Sequence, residues 1–289
     1  MSDYLNQKAV EFDKQGAKWR KEHTLDELSA THIAQAKYDG CQLIIDTKNM
    51  IAVGRDGKGK ASVDHIIHEC AKVFGPDLVI WGEVYEPGSD FYTINGAFNR
   101  KSAQSHLWFV PYDMVASFEF DEGYSDVPYK DRKVLIDACM LHRHNTISQL
   151  IDVREYSPGT YVKPLQLAKQ LVSQGGFDGL ILRDPQATWR RGTSKEGELI
   201  KVKPSDNLDL RCVGVQTGVG EKTGRPVYTI DVDYKGVTTR VGSGVPHDIK
   251  DVPKKGCIVE IECMAVNPSN TLREPRFIGI KFDKDKPDA

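Results

Sequence analysis

The sequence predicts an α+β domain of antiparallel sheets and helices, followed by a small all-β barrel. Three observations carry that expectation. Apolar runs of strand length are interleaved with amphipathic helical stretches through the first two-thirds of the chain. Tight turns such as Asp39-Gly40 separate neighbouring runs, which favours hairpins over parallel units that need long crossovers. After Pro204-Ser205-Asp206-Asn207 the pattern changes to short strand-like runs between Gly and Pro turns, with no strong helix. About five short strands in some 80 residues suit a barrel of the OB type. The expected domains are therefore residues 1–204 and 205–289, and a chain of 289 residues accommodates two.

Taken in order, Asp3 to Lys21 reads as a polar, partly amphipathic helix, and Thr24 with Glu27 as a capping box opening a short helix. An apolar run from His32 reaches Lys37 and stops at Asp39-Gly40, so Lys37 is expected at a strand end against a tight hairpin. Strands follow near Cys41–Asp46 and Met50–Gly54. Ser62 is expected to cap a helix to Phe74, with Val63, Ile66, Ile67, Cys70 and Val73 on its apolar face. Leu78 to Trp81 is a buried strand leading into Gly82-Glu83, and Glu86 to Arg100 reads as loop. Trp108 to Val115 is a strand broken by Pro111; helices are expected over Lys130–His142 and Leu165–Ser173, the latter ended by Gly175-Gly176. Strands over Gly179–Leu182 and Leu199–Lys203 close the first domain. In the second, strands are expected over Arg211–Thr217, Val227–Asp233, Thr238–Val241, Cys257–Met264 and Phe277–Phe282.

Composition narrows the function. The net charge of -2 means that a polyanion would meet a local basic face rather than a basic protein. The six cysteines form no C-x-x-C pair, which argues for reduced thiols over a zinc module, and no apolar run is long enough to cross a bilayer. A monomer in a reducing cytoplasm is the expectation. Gly54 to Ala61 nearly matches the phosphate-binding loop G-x-x-x-x-G-K-[ST], but Ala61 stands where a metal-ligating hydroxyl is needed, and the flanking strands read as hairpins.

Charged residues recur at the ends of buried strands: Lys37, Arg55, Glu83, Asp178, Lys201 and Lys203. Lys201 and Lys203 alternate around Val202 and so share a strand face, where an anion or carboxylate between them would relieve their repulsion. Together they supply an amine nucleophile, two carboxylates and several cations, the parts for attack on a phosphate with a metal ion present.

In this order the residues resemble the covalent nucleotidyltransferases, the superfamily of DNA ligases, RNA ligases and mRNA capping enzymes. Lys37-Tyr38-Asp39-Gly40 resembles its nucleophile motif, Gly54-Arg55-Asp56-Gly57 the S-R-x-G element, and Trp81-Gly82-Glu83 the D-G-E motif. Val110-Pro111-Tyr112-Asp113 is similar to the base-stacking motif, Asp178-Gly179 through Arg183 to E-G-h-h-h-[KR], and Leu199 through Pro204 to motif V. Leu272 through Phe277, followed by Lys281-Phe282-Asp283-Lys284, resembles the C-terminal motif of ATP-dependent DNA ligases, and the compact size resembles bacteriophage-type enzymes most, which would place it in the cytoplasm of a bacterial host. Gln42, Gly54, Asp178 and Lys281 depart from the family pattern, at positions usually held by Arg, Ser, Glu and Arg.

The resemblance implies an ATP-dependent DNA ligase that seals nicks in double-stranded DNA, with no membrane partner. Lys37 would attack the α-phosphate of ATP to form lysyl-AMP, AMP would pass to the 5'-phosphate at the nick, and the 3'-hydroxyl would then expel it. It assigns Lys201 and Lys203 to the α-phosphate, Arg55 and Glu83 to the ribose, Tyr112 to stacking on adenine, Gln35 or its backbone to the base, and Arg183 to the same nucleotide pocket. Asp178 and Glu83 would hold Mg2+ or Mn2+. Arg190, Arg191 and Lys195 would contact DNA, and Lys281 and Lys284 would orient pyrophosphate. The same chemistry leaves an RNA ligase or an mRNA guanylyltransferase as alternatives.

Overall fold

The computed structural model describes residues 6–141, 148–193, 195–221, 223–267 and 269–288. The chain divides into two compact units, Met1–Lys203 and Pro204–Ala289. The first contains two antiparallel-dominated sheets. One has the strand order Val10–Glu11, Leu199–Val202, Phe177–Arg183, Ile33–Tyr38, Glu155–Tyr156. The other has the order Ile51–Gly54, Cys41–Asp46, Leu78–Tyr85, Trp108–Ala116.

Strand alternation sorts the side chains. In the five-stranded sheet, Ala34, Ala36, Leu180, Leu182, Ile200 and Val202 join one core cluster with Ala168 and Leu171 of the helix Pro164–Gln174. The opposite face then carries Gln35, Lys37, Ile181, Arg183 and Lys201, because successive side chains point to opposite faces. Cross-strand register confirms this grouping: Gln35 lies beside Ile181 and Ile181 beside Lys201, while Lys37 lies beside Gly179. The four-stranded sheet is apolar on both faces. Leu43, Ile45, Ile80 and Phe109 pack with residues of the helices Asp64–Phe74, Phe91–Phe98 and Tyr129–Leu141, and Ile44, Trp81 and Val115 pack with Phe120 and Trp189. Burial on both faces is why its strands read as continuous apolar runs.

The turn at Asp39-Gly40 corrects an expectation. The strands on its two sides do not form a hairpin; Ile33–Tyr38 belongs to one sheet and Cys41–Asp46 to the other. Neither Asp39 nor Gly40 adopts the positive φ that a type I′ hairpin turn requires. The glycine is needed for space. A Cβ on Gly40 would fall 2.1 Å from the Val84 carbonyl oxygen and 3.0 Å from Glu83 Cγ. The nucleophile motif thus ends where the chain passes from one sheet to the other, against the strand that carries Glu83. Gly40→Ala is expected to destabilise the protein by about 3 kcal/mol. Gly96, inside the helix Phe91–Phe98 with nothing within 4 Å of its added Cβ, is the control: Gly96→Ala should be neutral or stabilising. Denaturant unfolding checks both, and equal stability of the two variants would refute the packing argument.

Other differences have local causes. The start of the helix expected over Asp3–Lys21 lies outside the described residues; from Asn6 the chain forms two short strands, a 3-10 turn and the helix Ala17–Glu22, because Val10–Glu11 pairs with Ile200–Lys201. Thr24 and Glu27 do exchange the capping-box bonds, Thr24 N to Glu27 Oε2 at 3.0 Å and Glu27 N to Thr24 Oγ1 at 3.4 Å, but only a 3-10 turn, Glu27–Ala30, follows. Ser62 is no cap; it is buried and donates to the Phe98 carbonyl. The segment read as loop after Glu86 contains the helix Phe91–Phe98, capped by the Asp90 side chain. Pro111 does not break its strand, since that strand is at the sheet edge and a register shift lies opposite it. The expected helix at Lys130 runs Tyr129–Leu141; His142 lies outside the described residues.

The second unit is a five-stranded antiparallel OB-type sheet, in the order Val237–Val241, Pro226–Tyr234, Asp206–Val219, Ile258–Cys263, Arg276–Lys281. Its core includes Leu210, Cys212, Ile230, Val232, Val259, Ile261 and Phe277.

Candidate active site

Lys37 is the point at which the site closes. Its Nζ donates to Asp178 Oδ2 at 2.5 Å, and Lys203 Nζ approaches the same oxygen at 3.1 Å. Asp178 is held there by its neighbour. Gly179 has φ +135°, and a Cβ on it would meet the Val202 carbonyl oxygen at 2.2 Å, so only glycine lets the Lys203 segment lie against the Asp178 strand. Lys201 turns to Glu11, 2.9 Å away. The two lysines of motif V are therefore each neutralised by a carboxylate. Sequence reasoning asked for an anion or carboxylate between them and assigned Asp178 to the metal; it missed Glu11, which lies on a two-residue strand without a periodic signature.

The electrostatics follow from this pairing. Burial acts to lower the pKa of Lys37, but attraction to Asp178, Glu83 and Asp39 prevails and leaves it above the ordinary lysine value. Without substrate the amine is thus held as an ammonium ion. Burial raises the Glu83 carboxyl to about 7, the pull of Lys37 being partly offset by Asp178 and Asp39. For Glu11, burial pushes upward, but hydrogen bonds from Lys201 and Lys14 bring its pKa down to about 2. Asp178 Oδ1 is buried with no hydrogen-bond partner among the described residues. An orphaned carboxylate oxygen beside a second carboxylate is a fitting place for a hard divalent cation. The described residues contain no cluster of three or more His, Cys, Asp or Glu that could hold a metal ion, here or elsewhere.

Beside Lys37 on the same face, Gln35 is 2% exposed. Its Nε2 donates to Tyr129 Oη at 2.6 Å and Glu155 Oε2 at 3.2 Å, and its Oε1 accepts from Arg183 Nε at 2.6 Å. Arg183 also donates to Asp113, at 2.9 Å, and lies over the rings of Tyr129 and Tyr112, 4.5 and 5.3 Å from their centroids. Asp113 is gripped from its other side by Arg132, at 2.8 and 3.1 Å. Burial would raise the Asp113 carboxyl, but the two arginines hold it below the ordinary value. Arg183, expected in the nucleotide pocket, is buried, with Gln35, Asp113 and the rings of Tyr112 and Tyr129 as its protein partners. Tyr112 is fixed by Gln42, whose Nε2 donates to its hydroxyl at 2.8 Å. Gln42, read from sequence only as a departure, therefore has a structural task.

The remaining expected residues are placed differently. Arg55 is exposed in the turn that follows the strand Ile51–Gly54. That turn leads on to the helix Asp64–Phe74, but the strand before it runs antiparallel to its neighbour Cys41–Asp46, so the near-match to a phosphate loop lacks the parallel-strand setting. Arg190 is exposed, 3.9 Å from Asp126, and Lys195 is exposed. Arg191, also expected against DNA, has protein partners: its guanidinium lies over the Phe120 ring and donates to the Phe120 carbonyl. In the barrel, Lys281 pairs with Glu260 at 2.8 Å, and Lys284 pairs with Asp209 and, at 3.2 Å, with Asp288. Tyr129, Arg132, Glu155 and Glu11 were missed by sequence reasoning. Only Tyr129 and Arg132, on the inner side of a helix, carried any signal there.

Comparison with known proteins adds to this geometry. Residues 15–203 match the model of the family described as ATP dependent DNA ligase domain. The chain is 24% identical over 213 residues to DNA ligase 2 of Methanosarcina mazei, covering 58% of this chain and 37% of that one. It spans between 20% and 37% of the length of the curated relatives it matches. Among solved structures, a Lig E DNA ligase superposes with a TM-score of 0.73 at 16% identity, covering 96% of this chain and 99% of that chain. The ATP-dependent DNA ligase of bacteriophage T7, in complex with ATP, superposes with a TM-score of 0.58 at 18% identity, covering 96% and 98%. At such identities the structural likeness establishes the fold.

Proposed function

The chain belongs to the ATP-dependent DNA ligase domain family, and from that premise we propose that it seals nicks in double-stranded DNA through a lysyl-AMP intermediate. The observation that carries the reading is Lys37 held against Asp178 with Lys203 beside it, inside the segment that matches the family. Lys37 Nζ attacks the α-phosphorus of ATP. The N–P bond forms as the bond to the bridging oxygen breaks, and pyrophosphate leaves with the electron pair. Asp178, in contact with the amine, is the nearest group to accept its proton. A 5'-phosphate oxygen at the nick then attacks the same phosphorus and frees Lys37, and the 3'-hydroxyl finally attacks the 5'-phosphate and expels AMP.

Before attack, the amine must lose the proton that its carboxylate neighbours stabilise. Lys203 and Lys201 supply cations for the α-phosphate by exchanging Asp178 and Glu11 for the substrate, Glu83 and Arg55 bind the ribose, and Tyr112 stacks on the base. Asp178 and Glu83 would hold Mg2+ or Mn2+, which withdraws charge from the phosphate oxygens. Arg190 and Lys195 face the duplex. Lys281 and Lys284 would leave their carboxylate partners Glu260, Asp209 and Asp288 to orient pyrophosphate. No described helix is long and apolar enough to cross a membrane.

The test is incubation with α-labelled ATP or GTP, then with nicked duplex. An acid-labile adduct from ATP, and sealing on addition of the nick, are expected. Labelling by GTP alone would replace the reading with guanylyl transfer, and absence of any adduct would remove it.

A further inference from the structure

The edge of the five-stranded sheet sets a carboxylate beside the first lysine of motif V. Val10–Glu11 pairs in parallel with Leu199–Val202, and the register places Glu11 directly opposite Lys201. Glu11 therefore shares the sheet face that carries Lys37 and Gln35. Its carboxylate is divided between two ammonium groups. Oε1 meets Lys201 Nζ at 2.9 Å, and Oε2 meets Lys14 Nζ at 3.0 Å.

The backbone beneath Glu11 is fixed. Gln15, 3% exposed, donates to the Leu199 carbonyl at 3.4 Å and accepts from the Gly197 N–H at 3.1 Å. The Gly16 N–H donates to the Lys195 carbonyl at 2.7 Å. Trp19 packs so closely on Gly197 that an added Cβ would fall 2.3 Å from its ring. Glu11 thus leaves Lys201 by rotating its own side chain rather than by detachment of its strand. Lys14, at the end of the turn Phe12–Lys14, remains to hold the carboxylate when it does.

We propose that Glu11 is an internal stand-in for the nucleotide α-phosphate on Lys201, and that Lys14 takes over its carboxylate when the phosphate arrives. The proposal rests on the reading that Lys201 binds that phosphate. A stand-in that must be displaced weakens nucleotide binding. A second cation that keeps hold of it makes the displacement cost less, because the carboxylate is never left unpaired. Once AMP is the product, return of Glu11 to Lys201 competes with it and hastens its departure. Glu11 and Lys14 are positioning residues: they act through Lys201, and neither touches the reacting atoms.

The experiment measures binding of AMP and of adenosine to the full chain by calorimetry. AMP carries the α-phosphate and adenosine does not. Glu11→Gln keeps the shape and removes the charge; it should bind AMP about two- to tenfold more tightly than the wild type. Lys14→Ala should bind AMP about two- to fivefold more weakly, since Glu11 then has Lys201 alone. Added to Glu11→Gln, the Lys14 change should leave the affinity where Glu11→Gln put it. Adenosine should bind all of these proteins alike. A merely structural role would weaken both ligands together, and a general effect of surface charge would make the two changes additive. Lys14, with its side chain 56% exposed, tolerates truncation, so its variant keeps the test decisive if Glu11→Gln fails to fold. AMP binding no tighter in Glu11→Gln than in the wild type overturns the proposal. So does equal weakening by Lys14→Ala in both backgrounds, an adenosine affinity that follows that of AMP, or failure of the wild type to bind AMP. Adduct formation with α-labelled ATP is scored separately. The AMP effects without an adduct would refute the ligase reading alone, and an adduct without the AMP effects would refute this inference alone.

Discussion

Lys37→Ala is expected to form no adduct with α-labelled ATP and to seal no nick when ATP is the only source of AMP. The loss should be complete to the background of the assay, because the other amine on Asp178, Lys203, is assigned to holding the α-phosphate and not to attacking it. The same variant should retain sealing of a nick that already carries AMP on its 5'-phosphate, since the remaining step uses the 3'-hydroxyl and not the lysine. Nucleotide binding should persist, because Gln35, Tyr112 and Glu83 are untouched. A labelled adduct at the wild-type level would place the nucleophile elsewhere. Loss of sealing on the pre-adenylylated nick, in a folded variant that still binds AMP, would give Lys37 a second task.

Asp178→Asn should separate two properties that the carboxylate combines. In the substrate-free protein, the negative charges of Asp178 and Glu83 raise the pKa of Lys37 against the opposing effect of burial. A raised pKa means the ammonium form persists to higher pH. Removing one carboxylate charge therefore lowers the pKa and enlarges the free-amine fraction at a given pH above neutrality. Reactivity of Lys37 toward a small acylating reagent at mildly alkaline pH, followed by peptide mass spectrometry, should rise in Asp178→Asn. Adenylylation by ATP should fall about 100-fold or more, because the group that takes the proton and the orphaned Oδ1 are both changed. The titration with Mg2+ or Mn2+ should shift as well. Adenylylation that increased in step with acylation would show that Asp178 only restrains the amine. An unchanged acylation profile would show that its charge does not set the protonation state of Lys37.

The network behind Gln35 changes how the departures from the family pattern are understood. Gln42 steadies the ring at which a base would stack, through its bond to the Tyr112 hydroxyl. Asp178, one methylene shorter than the usual glutamate, reaches both Lys37 and Lys203 with one oxygen and leaves the other without a partner. These are adjustments of positioning, made by side chains whose partners come from distant parts of the chain.

Much of the molecule was legible before any coordinates. The strands of Lys37, Glu83, Tyr112, Asp178 and Lys201 were readable because each is a short apolar run, buried on one or both faces, with its charge near one end. The barrel strands were readable for the same reason, and the change of pattern near Pro204 lies close to the division between the two units. The order of the motifs pointed to the family that residues 15–203 match, and made Lys37 the expected nucleophile. Local signals failed where a long-range contact outweighed them. Asp39-Gly40 has the composition of a hairpin turn, yet its glycine is there because the Val84 carbonyl occupies the space a side chain would need. The helix Phe91–Phe98 was hidden by the glycine within it. Arg183 and Arg191 looked like cations for a polyanion until their guanidinium groups were seen docked against protein. Residue types and their spacing alone determined which family the chain belongs to. Only the tertiary structure decided which carboxylate meets each lysine and which way Gln35 must face, because the Lys37–Asp178, Lys201–Glu11, Gln35–Glu155 and Gln35–Arg183 pairings each join residues more than a hundred positions apart, and proximity at that range is a product of folding.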